Sequence, residues 1–177
     1  MTRHIALLRA VNVGGRKLPM AELRTLAGEL GFEDAETYIQ SGNLVFAAPG
    51  KPEALESKLE TALESRFGFR CPVMIRTASQ WAKLLAANPF AEASKAEPNR
   101  VLVGVSKSDL ASGAAEAIAA RASAGERIES AGGALWFHYP AGVGTSKITP
   151  SLIDRAAGSP VTGRNWRTML KLMEMAE

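Results

Sequence analysis

The sequence predicts an α+β protein made of two tandem ferredoxin-like (βαββαβ) units, each followed by an added helix. Three observations carry this prediction. Short β-rich runs alternate with apolar stripes of helical period. The same order of elements is read twice along the chain. The two hairpin segments echo each other, "IQSGNLVF" in the first half and "IESAGGALWF" in the second.

The elements follow in order. "HIALLRAV" (4–11) is short, continuous and apolar, as a buried strand is. After a glycine loop, Pro19 opens a helix whose Met20, Leu23, Leu26, Ala27 and Leu30 share one face, with Gly31 beyond its end. "ETYIQS" and "NLVFAA" read as strands joined at Gly42-Asn43 in a tight hairpin. A second helix runs from Pro52 to Gly68 with Leu55, Leu59, Ala62, Leu63 and Phe67 inward. "CPVMIRT" (71–77) is a fourth strand, and Ser79 reads as the cap of a short helix over 79–88. Residues 1–88 thus form the first subdomain. Residues 89–99, polar and bracketed by prolines, read as a linker.

Residues 100–177 repeat the order as a second subdomain ending in a helix. "RVLVGVS" is a strand and "GAAEAIAARASA" a helix. "ERIES" and "ALWFHY" pair around Gly132-Gly133. "PSLIDRAA" (150–157) is a helix, "PVTG" a short strand, and "NWRTMLKLMEMA" a closing helix with Trp166, Met169, Leu170, Met173 and Ala176 inward.

Composition bounds the function. Apolar residues make up 46% and charged residues 22%, so a core is expected and disorder is not. No apolar run reaches the roughly 18 residues of a membrane span, and the first residues lack a secretory pattern. A cytoplasmic protein without membrane partners is therefore expected. Cys71 is the single cysteine and only His4 and His138 accompany it. That excludes an internal disulfide and leaves no metal site; no cofactor motif is present either. The net charge is only +3, but its distribution is uneven. Residues 1–18 carry Arg3, Arg9, Arg16 and Lys17 with no acid, and residues 130–173 carry Lys147, Arg155, Arg164, Arg167 and Lys171 against Asp154 alone.

Candidate ligand-binding residues fall in four stretches. "RAVNVGGRK" (9–17) lacks the spacing of a Walker loop or a dinucleotide turn. It keeps what an anion requires: Gly14 and Gly15 free the backbone amides, Asn12 adds a side-chain amide, and Arg9, Arg16 and Lys17 add charge ahead of a helix start. A plain strand-to-helix turn with solvated cations has the same composition. In "TYIQSGNLVF", Gln40, Ser41 and Asn43 can bond a ligand edge or satisfy their own turn. In "TGRNW", Asn165 suits a helix cap, while Arg164 sits where the helix dipole disfavours a cation unless an anion answers it. The loop "GVGTSKIT" (142–149) contributes Lys147.

Catalytic residues are not assigned. His4 and His138 lie within strands, no nucleophile elbow occurs, and Glu56, Glu60 and Glu64 at i, i+4 spacing read as a solvated helix face. The third strand carries one aromatic, which argues against the stacking surface of an RNA-recognition domain.

"ALLRAVNVGGRKLPMAELRTLAGELGF", "TYIQSGNLVF", "NPF" (88–90) and "TGRNWRTMLKL" together resemble the bacterial family known as domain of unknown function 1697. Ala10 and Gly163 depart from its usual glycine and alanine. The resemblance implies an intracellular α+β protein with a ferredoxin-like part, and no established activity.

The leading expectation is a binder of an anionic ligand, a nucleotide or nucleic-acid phosphate, in a basic cleft. Asn12, Gly14, Gly15, Arg16 and Lys17 would line it, with Lys147 and Arg164 approaching from the second half. Two other readings stand beside it. One is an enzyme on a small phosphorylated or carboxylated metabolite, oriented by Gln40, Ser41 and Asn43, with His138 carrying the proton. The other is a self-associating module, as a homodimer.

Overall fold

The computed structural model describes all 177 residues. Its contacts divide the chain into two compact units, Met1–Ala82 with Leu172–Glu177, and Lys83–Lys171. The protein is mixed α+β, with two four-stranded antiparallel sheets and seven helices.

The first sheet is formed by β1 (Thr2–Leu8), β2 (Glu33–Thr37), β3 (Asn43–Ala48) and β4 (Val73–Thr77), in the order β2-β3-β1-β4. Helix α1 (Met20–Glu29) connects β1 to β2, and α2 (Pro52–Phe67) connects β3 to β4. The unbroken apolar run of β1 follows from its central position. Ala6 and Leu8 face one side, Ile5 and Leu7 the other, and all four are fully buried. On the first side Ala6, Leu8, Leu44, Phe46 and Ile75 pack with Leu23 and Leu26 of α1 and Leu59 and Leu63 of α2. Phe32 stacks on Phe46 with ring centroids 4.2 Å apart. His4 stands in this sheet with no exposed surface. Its Nε2–H donates to the Ala48 carbonyl (3.2 Å) and its Nδ1 has no partner. Burial pulls its pKa below the ordinary value, against the opposing pull of that bond.

In chain order α3 (Ala78–Ala86) and α4 (Ala91–Ala96) follow. The segment read as a linker thus carries a helix of its own. The second sheet is formed by β5 (Val101–Ser106), β6 (Arg127–Ala131), β7 (Ala134–His138) and β8 (Val161–Asn165), in the order β6-β7-β5-β8. Helices α5 (Ala114–Ala119) and α6 (Pro150–Ala157) make the connections, and α7 (Trp166–Ala176) closes the chain. Ala115, Ile118, Ile128, Leu135, Phe137 and Ala157 form this unit's core. With its strands renumbered from one, the second sheet has the same strand order and connectivity as the first.

Four local expectations are corrected. The turn between β2 and β3 is not a tight Gly42-Asn43 hairpin. It spans Tyr38 to Gly42, and Asn43 is already the buried first residue of β3. Ser79 does not cap α3. Thr77 does, its hydroxyl accepting from Gln80 N–H (3.1 Å) while Gln80 Oε1 accepts from Thr77 N–H (2.8 Å). In α7, Leu172 is fully buried and Leu170 is exposed, so the inward stripe runs Met169, Leu172, Ala176.

Of Glu56, Glu60 and Glu64, only Glu64 lies on a solvated face. Glu56 is buried, and its Oε1 accepts from Ile75 N–H at 2.9 Å. Glu60 Oε2 accepts from Val73 N–H at 3.1 Å. Strand β4 is an edge, and the outward N–H groups of Val73, Ile75 and Thr77 are answered by Glu60, Glu56 and Gln80. Glu56→Ala would leave the Ile75 amide buried without an acceptor and remove the carboxylate 3.7 Å from Arg76. We expect a loss of about 1–3 kcal/mol in urea unfolding, with most of it restored by Glu56→Gln, which keeps an acceptor.

Candidate functional site

The C-terminal end of β1 leads into a loop whose backbone is repeatedly left-handed. Ala10 (φ 58°), Asn12 (58°), Gly14 (56°) and Gly15 (82°) all have positive φ. Asn12 tolerates this conformation and anchors the loop. Its Oδ1 accepts from Leu18 N–H (2.9 Å), and its Nδ2 donates to the carbonyls of Leu18 (3.1 Å) and Gln40 (2.6 Å). One side chain therefore closes the loop and ties it to the β2–β3 turn. The Asn12 amide is a structural clamp and is not offered to a ligand.

The turn is locked from its other end. Leu8 N–H donates to the Gly42 carbonyl (2.8 Å). Gly42 has φ 86°, and a Cβ there would lie 2.7 Å from Val11 Cγ2 and 2.9 Å from Leu8 Cβ. Asn43 Nδ2 donates to the Tyr38 carbonyl (2.9 Å) and to Ser41 Oγ (3.0 Å). Between these ties Ile39 adopts φ 50° with its side chain exposed, a strained state for a β-branched residue. Val13, on the facing loop, is exposed as well.

Arg9, Asn12, Gly14, Gly15, Arg16, Lys17, Gln40, Ser41 and Asn43 thus gather at one end of the first sheet. The amides of Arg16 and Lys17 are used within the loop, donating to Val13 (3.0 Å) and Gly15 (3.1 Å). Those of Val13, Gly14 and Gly15 donate to no protein acceptor. The Arg16 guanidinium lies 5.9 Å from the centre of the Phe69 ring, and neither Arg16 nor Lys17 has a carboxylate partner. Arg9 N–H donates to the Pro72 carbonyl (3.0 Å), and the buried Cys71 thiol points to the Arg9 carbonyl (3.4 Å). Beside them Glu60, Glu64, Arg70, Cys71 and Pro72 line a cleft of about 300 Å³.

The remaining predicted residues lie in the second unit. Arg164 is a buried strand residue of β8, and its Nη1 donates to Thr162 Oγ1 (2.8 Å) and the Gly163 carbonyl (3.0 Å). Polar groups of its own strand therefore hold one nitrogen of its guanidinium. Asn165 caps α7, its Oδ1 accepting from Thr168 N–H at 2.9 Å. Lys147 is exposed on a loop pinned by Ser146, whose hydroxyl donates to Glu126 Oε2 (2.8 Å). The Glu126 carboxyl is held below its ordinary range, first by its own backbone N–H and then by Ser146. Tyr139 is pushed up to about 12 by burial and then by the charge of Glu126.

Sequence reasoning missed a cluster around His138. Its Nδ1 accepts from Arg127 Nε (3.3 Å) and lies 3.0 Å from Arg127 Nη2, while Nε2 lies 3.5 Å from Glu97 Oε1. With Nδ1 accepting, the proton of the neutral ring sits on Nε2, toward Glu97. The Arg127 guanidinium covers the Phe90 ring at 4.8 Å, and Arg100 pairs with Glu97 at 3.2 Å. His138 itself was a candidate proton carrier in the sequence, but its partners Arg127 and Glu97 come from separate segments and were not legible as a group.

These features define a class: an α+β protein with two similarly connected antiparallel sheets and a clamped, basic, glycine-containing loop at the end of the first. The profile of a protein family of unknown function, DUF1697, matches residues 1–136, and the chain belongs to that family. Among solved structures it is similar to the conserved bacterial protein SP0830 from Streptococcus pneumoniae. That likeness has a TM-score of 0.74 and 23% identity, and covers 99% of each chain; it speaks to the fold alone. Nothing among curated proteins matches. No helix is long and apolar enough to cross a membrane.

Proposed function

We propose that this protein binds an anionic ligand, a nucleotide or nucleic-acid phosphate, on the loop 9–17 beside the turn 38–43, and that its two units are tandem ferredoxin-like copies. The common strand order of the two sheets supports the second statement. One observation carries the first. Arg16 and Lys17 stand without a carboxylate on a loop that Asn12 holds in shape through the backbone of Leu18 and Gln40. The open amides of Val13, Gly14 and Gly15 belong to the same loop, so backbone donors and full charges serve one guest. Exposed Val13 and Ile39 beside them suit the apolar part of a nucleotide.

The test measures binding of ATP and of a single-stranded oligonucleotide by fluorescence anisotropy across a salt series. We expect affinity to fall with salt. Replacing both Arg16 and Lys17 by alanine should weaken binding and flatten the log–log slope by about 1–2 for the oligonucleotide, while thermal stability stays unchanged. Absence of salt-dependent binding by the unmodified protein would remove the proposal.

A further inference from the structure

We propose that the free edge of β6 is a strand-addition surface whose occupant is the β6 strand of a second copy of this chain, running antiparallel. The four sheet edges differ sharply. On β4 all three outward amides are covered by Glu60, Glu56 and Gln80. Strand β2 is interrupted by a register shift between Glu33 and Glu36, with Asp34 at φ 49°, and is rich in acids. On β8 the Val161 amide is held by Asp154 Oδ1 at 3.0 Å, and the strand runs directly into α7. Strand β6 has none of these protections. It pairs with β7 over five consecutive residues without a shift, and it contains no proline.

The pairing fixes what the edge presents. The turn Gly132-Gly133 has φ 60° and 79°, a two-residue connection that makes Ala131 and Ala134 a hydrogen-bonded pair. Alternation then turns Glu129 and Arg127 toward β7. The bond from Tyr139 N–H to the Arg100 carbonyl (2.9 Å) puts the other residues of β7 on the β5 side, in agreement. Ile128 and Ser130 therefore direct N–H and C=O away from the sheet, and neither has a backbone partner there.

Charge selects the occupant. If two β6 strands meet about a twofold axis at Ile128, Arg127 of each copy stands opposite Glu129 of the other, twice over. A twofold axis at Glu129 would set like charges face to face. The Arg127 Nε and Nη2 atoms face His138 within the chain, which leaves Nη1 for the carboxylate across the strand pair. Glu129 is exposed and has no ion-pair partner of its own.

The experiment is sedimentation velocity on the full chain over a dilution series from about 100 µM to about 1 µM. We expect a concentration-dependent dimer. Ser130→Pro removes only an outward amide, so the internal ladder survives, and it should abolish the dimer with an unchanged circular dichroism spectrum. Glu129→Arg is an exposed change that does not threaten folding, and it should weaken association at least about tenfold. Adding Arg127→Glu to Glu129→Arg should restore association. A monomer throughout the range, or a dimer indifferent to both Ser130→Pro and Glu129→Arg, overturns the proposal. So does a monomer that instead binds an unrelated extended peptide at this edge. Because β6 contains none of the residues of loop 9–17, these outcomes are independent of anion binding.

Discussion

Gly42→Ala is expected to be the most damaging small substitution in the chain, lowering stability by about 3–5 kcal/mol in denaturant titration. Two costs combine. An alanine must hold φ 86°, which L residues rarely adopt, and its methyl would lie 2.7 Å from Val11 Cγ2 and 2.9 Å from Leu8 Cβ. Neither neighbour can yield easily, because Leu8 is fully buried and Val11 is nearly so. The turn would have to lift off β1 and give up the bond from Leu8 N–H to the Gly42 carbonyl. Gly14→Ala is the control. It also sits at positive φ, but an added methyl meets nothing within 4 Å, so only the backbone strain of about 1–2 kcal/mol should appear. Equal losses in the two variants would show that packing of the turn contributes nothing.

Asn12→Ala is expected to cost about 2–4 kcal/mol and to lower affinity for a phosphate-bearing probe at least about tenfold. The variant loses the acceptor for Leu18 N–H and the donor to the carbonyls of Leu18 and Gln40, and it places alanine at φ 58°. Leu18 is fully buried, so water does not readily replace these bonds. Asn12→Asp should not rescue, because it keeps the acceptor for Leu18 N–H but turns a carboxylate oxygen toward two carbonyls. The pattern separates holding the loop from holding the ligand. Asn12→Ala changes melting temperature and affinity together, whereas loss of Arg16 and Lys17 changes affinity alone. An Asn12→Ala protein with unaltered melting would show that the clamp is dispensable.

Much of the architecture could be read from local chemistry. Pro52 and Gly68 bracket α2, with Gly68 at φ 77° as its left-handed cap, and Thr149 and Pro150 open α6. Gly132-Gly133 forms the two-residue turn its composition demands. Where reading failed, a distant partner had decided the matter. Ile39 belongs to a β-rich run, yet it is forced to positive φ because Asn43 and Gly42 are bound to Tyr38 and Leu8 on either side. The glutamates of α2 have the spacing of an exposed stripe, and only the neighbouring strand reveals their use. Leu170 and Leu172 are equally apolar, and the periodicity read from the sequence took Leu170 where the fold buries Leu172. The loop 9–17 and the residues 40–43 were legible as separate polar clusters. Their junction was not, because it runs through main-chain carbonyls that any residue supplies. Arg164 was read as a cation at the start of the last helix; it belongs to β8, and a sequence does not show a side chain turning back to bond its own strand.

The carboxylates that α2 sets against β4 close its outer edge without choosing its alignment. Outward amides alternate along the strand, so sliding it by one residue would carry Val73 and Ile75 inward and offer Met74 and Arg76 to the waiting oxygens. The oxygens would meet amides there as well, but every side chain would change faces in the same step, and Arg76 would be driven into the core side that Val73 and Ile75 fill. The alignment of this last strand is therefore set by its side chains against the core, while the helix that precedes it shuts the edge to any further strand.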